Sequence, residues 1–167
     1  MKKILSLTLA LAMLGTALTG CGSKTAAPET SVEPTQQTAP YQQEQSQTEK
    51  ALALINTFAT GDTDTARSLL SDGYIQHNLA YGTGADAFIG SVEYLASADV
   101  KTTVNNIRAF EDGDKVFLQT IYNFAGAGEQ VAFDIFRFDE DGKIAEHWDV
   151  METIADQSTW QNDNGKF

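Results

Sequence analysis

Two aspartates, Asp134 and Asp149, and a histidine, His147, stand on the strand-like segments of the run Phe133–Met151, FDIFRFDEDGKIAEHWDVM, which otherwise alternate apolar residues. A carboxylate among Phe, Ile, Trp and Val must be paired, hydrated or given chemical work. Asp141-Gly142 is a strong type I′ turn pair. With these two at the centre of the turn, Glu140 faces Lys143, Phe138 faces Ala145, Arg137 faces Glu146, Phe136 faces His147 and Asp134 faces Asp149. Two opposite-charge pairs emerge from this register, which supports it independently of the aspartates. Asp134, Phe136, His147 and Asp149 then share one face, with the two aspartate Cβ atoms about 5 Å apart and His147 about 7 Å along the strand from Asp149. A three-residue loop would slip the register by one and turn one strand's side chains to the other face. Facing carboxylates beside an imidazole can pass a proton between them. Such a set can remove a proton next to a carbonyl and return it elsewhere, without metal or organic cofactor.

The elements that must hold this set follow from periodicity. From Glu49 a helical period places Leu52, Ile55, Phe58 and Ala59 on one face of a segment ending at Gly61. Asp62 or Thr63 is suited to cap a short second helix carrying Ala66, Leu69 and Leu70, stopped by Asp72-Gly73. Residues 74–81 read as neither helix nor clean strand. A third helix spans about Gly84 to Ser97, with Phe88, Ile89, Val92 and Leu95 on its apolar face. After Asp99 the period becomes two. Four strands are predicted, at about 101–111, 115–124, 130–139 and 143–153, joined by short turns. Short connections make an antiparallel meander. The expected class is therefore α+β, with three N-terminal helices covering one face of a curved antiparallel sheet.

The chain begins differently. Lys2 and Lys3 precede an apolar stretch, Ile4 to Leu14, too short to span a bilayer. It closes on Leu18-Thr19-Gly20-Cys21, which resembles the lipobox of bacterial lipoproteins. That resemblance implies a signal peptide over 1–20, cleavage before Cys21, lipid attachment at Cys21, and anchorage on the extracytoplasmic face of a bacterial membrane. Cys21 is the one cysteine in the sequence, so an intrachain disulfide and a cysteine metal site are excluded. The stretch 21–47 holds all three prolines with Ser, Thr and Gln and few large apolar residues, a composition expected of a flexible tether. Residues 48–167 remain for one folded domain. Its net charge belongs to a chain of −12, which argues against nucleic acid and against a basic membrane-binding patch.

The pattern from Asp134 through His147-Trp148-Asp149 resembles the SnoaL-like branch of the nuclear transport factor 2-like superfamily. Tyr74-Ile75-Gln76-His77-Asn78 and the closing Asn162-Asp163-Asn164-Gly165 with Phe167 are similar to the same branch, so the likeness spans residues 49 to 167. It implies a cone-shaped barrel with a central pocket between bent sheet and helices. In the polyketide cyclases that name the branch, a pocket aspartate aided by histidine performs acid/base chemistry in an aldol closure. Carried over by motif, Asp149 is the main acid/base, His147 its neighbour, and Asp134 and His77 line the same pocket. Tyr74, Asn78 and Phe136 are further pocket candidates. Tyr122 and Asn123 point to opposite faces, so one of them reaches the pocket, and Tyr122 is the candidate carried here. The family pattern has proline after the histidine-asparagine pair, whereas this chain has Leu79. The resemblance also implies a homodimer through the open sheet.

Other chemistries find little purchase. His77, His147 and Asp149 form a two-histidine, one-carboxylate set without compact ligand spacing, so no metal is expected. Gly82-Thr83-Gly84 and Gly126-Ala127-Gly128 lack the strand-to-helix context of a phosphate cradle. No cofactor is expected. Two readings of different class remain: a cofactor-independent acid/base catalyst on a small apolar carbonyl compound, and a lipoprotein that binds a small apolar ligand or dimerises without catalysis.

Overall fold

The structure, a computed structural model, describes residues 45–167. The expected signal segment, Cys21 and nearly all of the expected tether lie outside the described residues. Helix α1 covers Gln47–Thr60, two residues earlier than its apolar period suggests, because Ser46 and Glu49 form a capping box. Ser46 Oγ accepts from the Glu49 amide at 3.2 Å while Glu49 Oε2 accepts from the Ser46 amide at 2.8 Å. Gly61 ends α1 in the left-handed region, at φ 75°. A Cβ there would lie 2.8 Å from Ala96 Cβ, so glycine is required both by dihedral and by the approach of the third helix. Helix α2, Thr63–Leu69, starts at the Asp62 cap, and helix α3 is Ala85–Ser97.

The strands are β1 Leu70–Gln76, β2 Thr103–Asp112, β3 Lys115–Asn123, β4 Gln130–Phe138 and β5 Ile144–Thr153. They form a sheet in the order β1-β5-β4-β3-β2. Strands β2 to β5 make the expected meander. β1 adds a parallel edge beside β5, so the sheet is mixed. Sequence periodicity misses β1 because its pairing shifts between Leu70 and Ile75, around Asp72-Gly73, which breaks the alternation that marks a strand. Asp72-Gly73 therefore lies within a strand, and α2 stops at Leu69.

The β4–β5 hairpin reaches the expected site register by another route. The loop is longer than a two-residue turn: the Gly142 amide donates to Asp139 O at 3.0 Å and the Asp139 amide to Lys143 O at 2.9 Å. Three residues thus lie between Asp139 and Lys143, and Asp139 Oδ1 accepts from the amides of Asp141 and Lys143. Phe138 consequently faces Ile144 and not Ala145, and a register shift follows before Arg137 pairs with Glu146. Ala145 is the extra residue. This bulge cancels the slip, and Phe136 still faces His147 while Asp134 faces Asp149.

The helices bury their apolar faces on one side of the sheet. Leu54 and Ile55 of α1 and Val92 of α3 pack with Val116, Leu118, Phe136 and Phe138 in one core cluster, the two-layer arrangement of an α+β fold.

Candidate functional site

Between helices and sheet lies a cavity of about 830 Å³. Phe58 of α1, Phe88 and Leu95 of α3, and Phe124 after β3 form much of its apolar wall. Its polar end is supplied by the sheet, where Tyr74, Gln76, Tyr122, Asp134, His147 and Asp149 converge. Strand alternation explains the convergence: Asp134 and Phe136 on β4 face Asp149 and His147 on β5, and Gln76 on β1 lies beside His147.

The hydrogen bonds form a directed chain. Gln76 Oε1 accepts from the Asn78 amide at 2.9 Å, leaving Gln76 Nε2 to donate to His147 Nδ1 at 3.0 Å. With Nδ1 accepting, His147 carries its proton on Nε2 and donates to Asp134 Oδ1 at 3.2 Å. That tautomer is assigned from its partners. Tyr122 Oη donates to Asp134 Oδ2 at 2.9 Å. Both carboxylate oxygens of Asp134 are thus engaged, which compensates a charge that is only 4% exposed. Phe136 stacks on the His147 ring with centroids 4.5 Å apart, holding the imidazole in plane.

Asp149 differs. Asn78 Nδ2 donates to its Oδ1 at 2.6 Å, while no protein donor among the described residues reaches Oδ2. Asp149 lines the cavity and is half-buried. Its free lone pairs make it the carboxylate able to accept a proton from a bound molecule. Burial raises the pKa of the Tyr74 phenol, and the Asp149 and Asp134 charges add to the effect. Burial likewise pushes Tyr122 well above the ordinary tyrosine value, reinforced by Asp134. Both phenols stay protonated near neutrality. Tyr74 Oη accepts weakly from Gln76 Nε2 at 3.4 Å, and its own proton can be donated to a ligand.

Of the residues singled out from sequence, Asp134, His147, Asp149, Tyr74, Tyr122 and Phe136 line the cavity. Asn78 supports it through Asp149. His77 does not line it: its ring stacks on Trp148 with centroids 4.3 Å apart, and its Nε2 lies 2.9 Å from Glu146 Oε2. The reason is alternation along β1, which turns Gln76 toward His147 and therefore turns the next side chain away. Gln76 occupies the place expected of His77. No chemical signal in the sequence ranks a glutamine above its neighbouring histidine; only the parallel pairing of β1 would have done so. Leu79 is fully exposed, and its loop is held by Asn78, whose Oδ1 accepts from the Ala80 amide at 2.9 Å.

The arrangement also bears on metals. His77 is a backbone neighbour of His147, but its ring turns to Trp148 and Glu146 and does not join His147 and Asp149. Asp134, His147 and Asp149 instead bring one ligand atom each within 4.8 Å of one another, which is the set that could hold an ion.

A layer of helices on a mixed sheet, enclosing a pocket with its acidic end on the sheet, defines an α+β fold with an internal cavity. The SnoaL-like domain model matches residues 51–147, and the chain belongs to that family. The matched stretch ends at His147, short of the 49–167 span of the motif likeness, so Asp149 lies just beyond it. Solved structures share the fold. An NTF2-like protein of unknown function from Cytophaga hutchinsonii superposes with TM-score 0.57 at 16% identity, over 66% of this chain and 94% of that one. IdmH from Streptomyces antibioticus, a proposed polyketide cyclase, gives 0.52 at 18% identity, over 65% and 93%. An epoxide hydrolase of M. tuberculosis gives 0.54 at 18% identity, over 62% and 80%. No curated protein sequence matches the chain.

Proposed function

We propose that the domain is a cofactor-independent acid/base catalyst of the aldol or isomerase type, acting on a small apolar carbonyl compound. The observation that carries this reading is Asp149, which presents an unbonded Oδ2 to a largely apolar cavity. In this mechanism Asp149 takes a proton from the carbon next to the carbonyl. The Tyr74 phenol donates to the oxygen on which charge develops, and the Asp134–His147 pair fixes the polar end. The probe is proton-for-deuterium exchange next to the carbonyl of 2-tetralone in D₂O, followed by NMR. The wild type is expected to accelerate exchange above buffer, and Asp149→Asn to lose about a hundredfold or more, the scale of a general base. Exchange that persists undiminished in a folded Asp149→Asn protein sinks the assignment.

A second reading, capture of a small apolar ligand without turnover, draws on the engagement of both His147 nitrogens and both Asp134 oxygens inside the protein. A pocket built only to bind can afford such closure. Under this reading no exchange occurs, yet a small apolar molecule is retained on gentle purification.

Two further features complete the proposal. The lipobox-like ending at Cys21 supports a lipid-anchored protein on the extracytoplasmic face of a bacterial membrane. No described helix is long and apolar enough to cross a membrane. On the outer sheet face, Phe110 is 62%, Phe133 54% and Val150 72% exposed, with Phe133 paired to Val150. Such a patch supports a homodimer. Sedimentation is expected to give a dimer for the wild type and a monomer for Phe133→Glu; a wild-type monomer at high micromolar concentration rejects it.

A further inference from the structure

The charged side chains lining the cavity are of one sign. Asp134 and Asp149 contribute carboxylates, and among the described residues no lysine or arginine lines the wall. His147 turns both ring nitrogens to protein partners, Nδ1 to the Gln76 amide and Nε2 to Asp134, so neither is presented to a ligand. Ring faces and edges make up much of the remaining surface: Tyr74, Tyr81, Tyr94, Phe88, Tyr122 and Phe124 all contribute. Aromatic faces attract cations through their quadrupole. A largely apolar wall strengthens a charge beside it relative to water.

We propose that the cavity takes an organic cation, an amine or quaternary ammonium carried on an apolar body, in preference to neutral or anionic molecules of the same shape. The inference rests on the reading of this cavity as a small-molecule site but not on turnover. It also bears on turnover. Removing a proton next to a carbonyl builds negative charge on oxygen, here in a cavity that already holds the Asp134 and Asp149 carboxyl groups, and a positive centre on the substrate offsets that charge. An anionic ligand would bring its charge against two carboxyl groups with no basic side chain of the lining to meet it.

Binding to the purified full-length chain is measured by calorimetry and ligand-observed NMR with three probes. These are benzyltrimethylammonium, its carbon isostere neopentylbenzene, and phenylacetate. The ammonium is expected to bind at least tenfold more tightly than the isostere, with phenylacetate showing no saturable binding, and its affinity should fall with added salt. Asp149→Asn should weaken the ammonium about tenfold and leave the isostere unchanged. Tyr94→Leu, at an exposed rim position, serves as a second variant and should weaken only the ammonium, about threefold. Isostere and ammonium binding within twofold of each other overturns the proposal, as does phenylacetate binding as tightly as the ammonium. If the preference fails while ketone exchange stands, only this inference falls. If exchange fails while the preference stands, the catalytic reading falls and the cavity is a cation-binding site.

Discussion

At the scale of single residues, the site is a problem of where protons and lone pairs can go. Asp134 is the most deeply enclosed carboxylate of the cavity, yet its bonds to Tyr122 and His147 use both oxygens. Asp149, with one oxygen held by Asn78, keeps the other for a visitor. The phenols offer a direct test of this electrostatic picture. Tyr74 and Tyr122 ionise less readily folded than unfolded, because burial and the neighbouring carboxylates oppose a further negative charge. The stability tied to them is intact below the unfolded tyrosine value of 10.0 and declines as pH rises past it, since unfolded phenols then release protons that folded ones keep. Ultraviolet difference titration should therefore find two of the five tyrosines un-ionised at pH 11, releasing their protons only as the fold is lost. Five phenols titrating together near pH 10 in the folded protein would contradict it.

At the scale of elements, close approach and register decide whether the residues meet. Gly61 lets α1 end against α3, and Gly61→Ala combines a left-handed φ with a Cβ 2.8 Å from Ala96. It should cost about 2 kcal/mol in urea unfolding, from backbone strain plus overpacking. Gly113→Ala has a similar φ of 61° but open space around it, so it should cost about 1 kcal/mol and isolate the backbone part. Equal losses at the two positions would remove the helix contact from the account. The β4–β5 hairpin shows how legibility can rest on compensation. Reading Asp141-Gly142 as a two-residue turn leads to Asp134 facing Asp149, while the real loop is one residue longer and Ala145 bulges to restore the pairing. Periodicity cannot reveal a bulge that cancels a loop, because both leave the pattern downstream of Glu146 unchanged. β1 was illegible for a different reason: Leu70-Ser71-Asp72-Gly73 breaks alternation, and a parallel edge pairing has no local turn to announce it.

At the scale of the whole molecule, the anchor and the domain are separable propositions. If Cys21 carries lipid, Cys21→Ala should move the protein from the membrane fraction to the soluble fraction of its cells, read by fractionation and immunoblotting. Membrane retention of the variant would reject the lipid anchor. The domain itself follows a simpler logic, with helices on one sheet face enclosing a cavity and the other face left partly apolar. The amino-acid sequence alone determined the three helices, the β2–β5 meander and the α+β class, because periodicity, caps and turns are local properties. It also placed Asp134, His147 and Asp149 on a common face, since alternation along paired strands is nearly local once the hairpin is recognised. Tertiary structure decided what sequence spacing could not. β1 returned to lie beside β5, which brought Gln76 to His147 and turned His77 outward, more than sixty residues apart in the chain from the glutamate it meets. The sign of the pocket was decided there as well. Charge along a chain is only a sum, whereas the exclusion of every described lysine and arginine from one cavity wall is a property of how the elements pack.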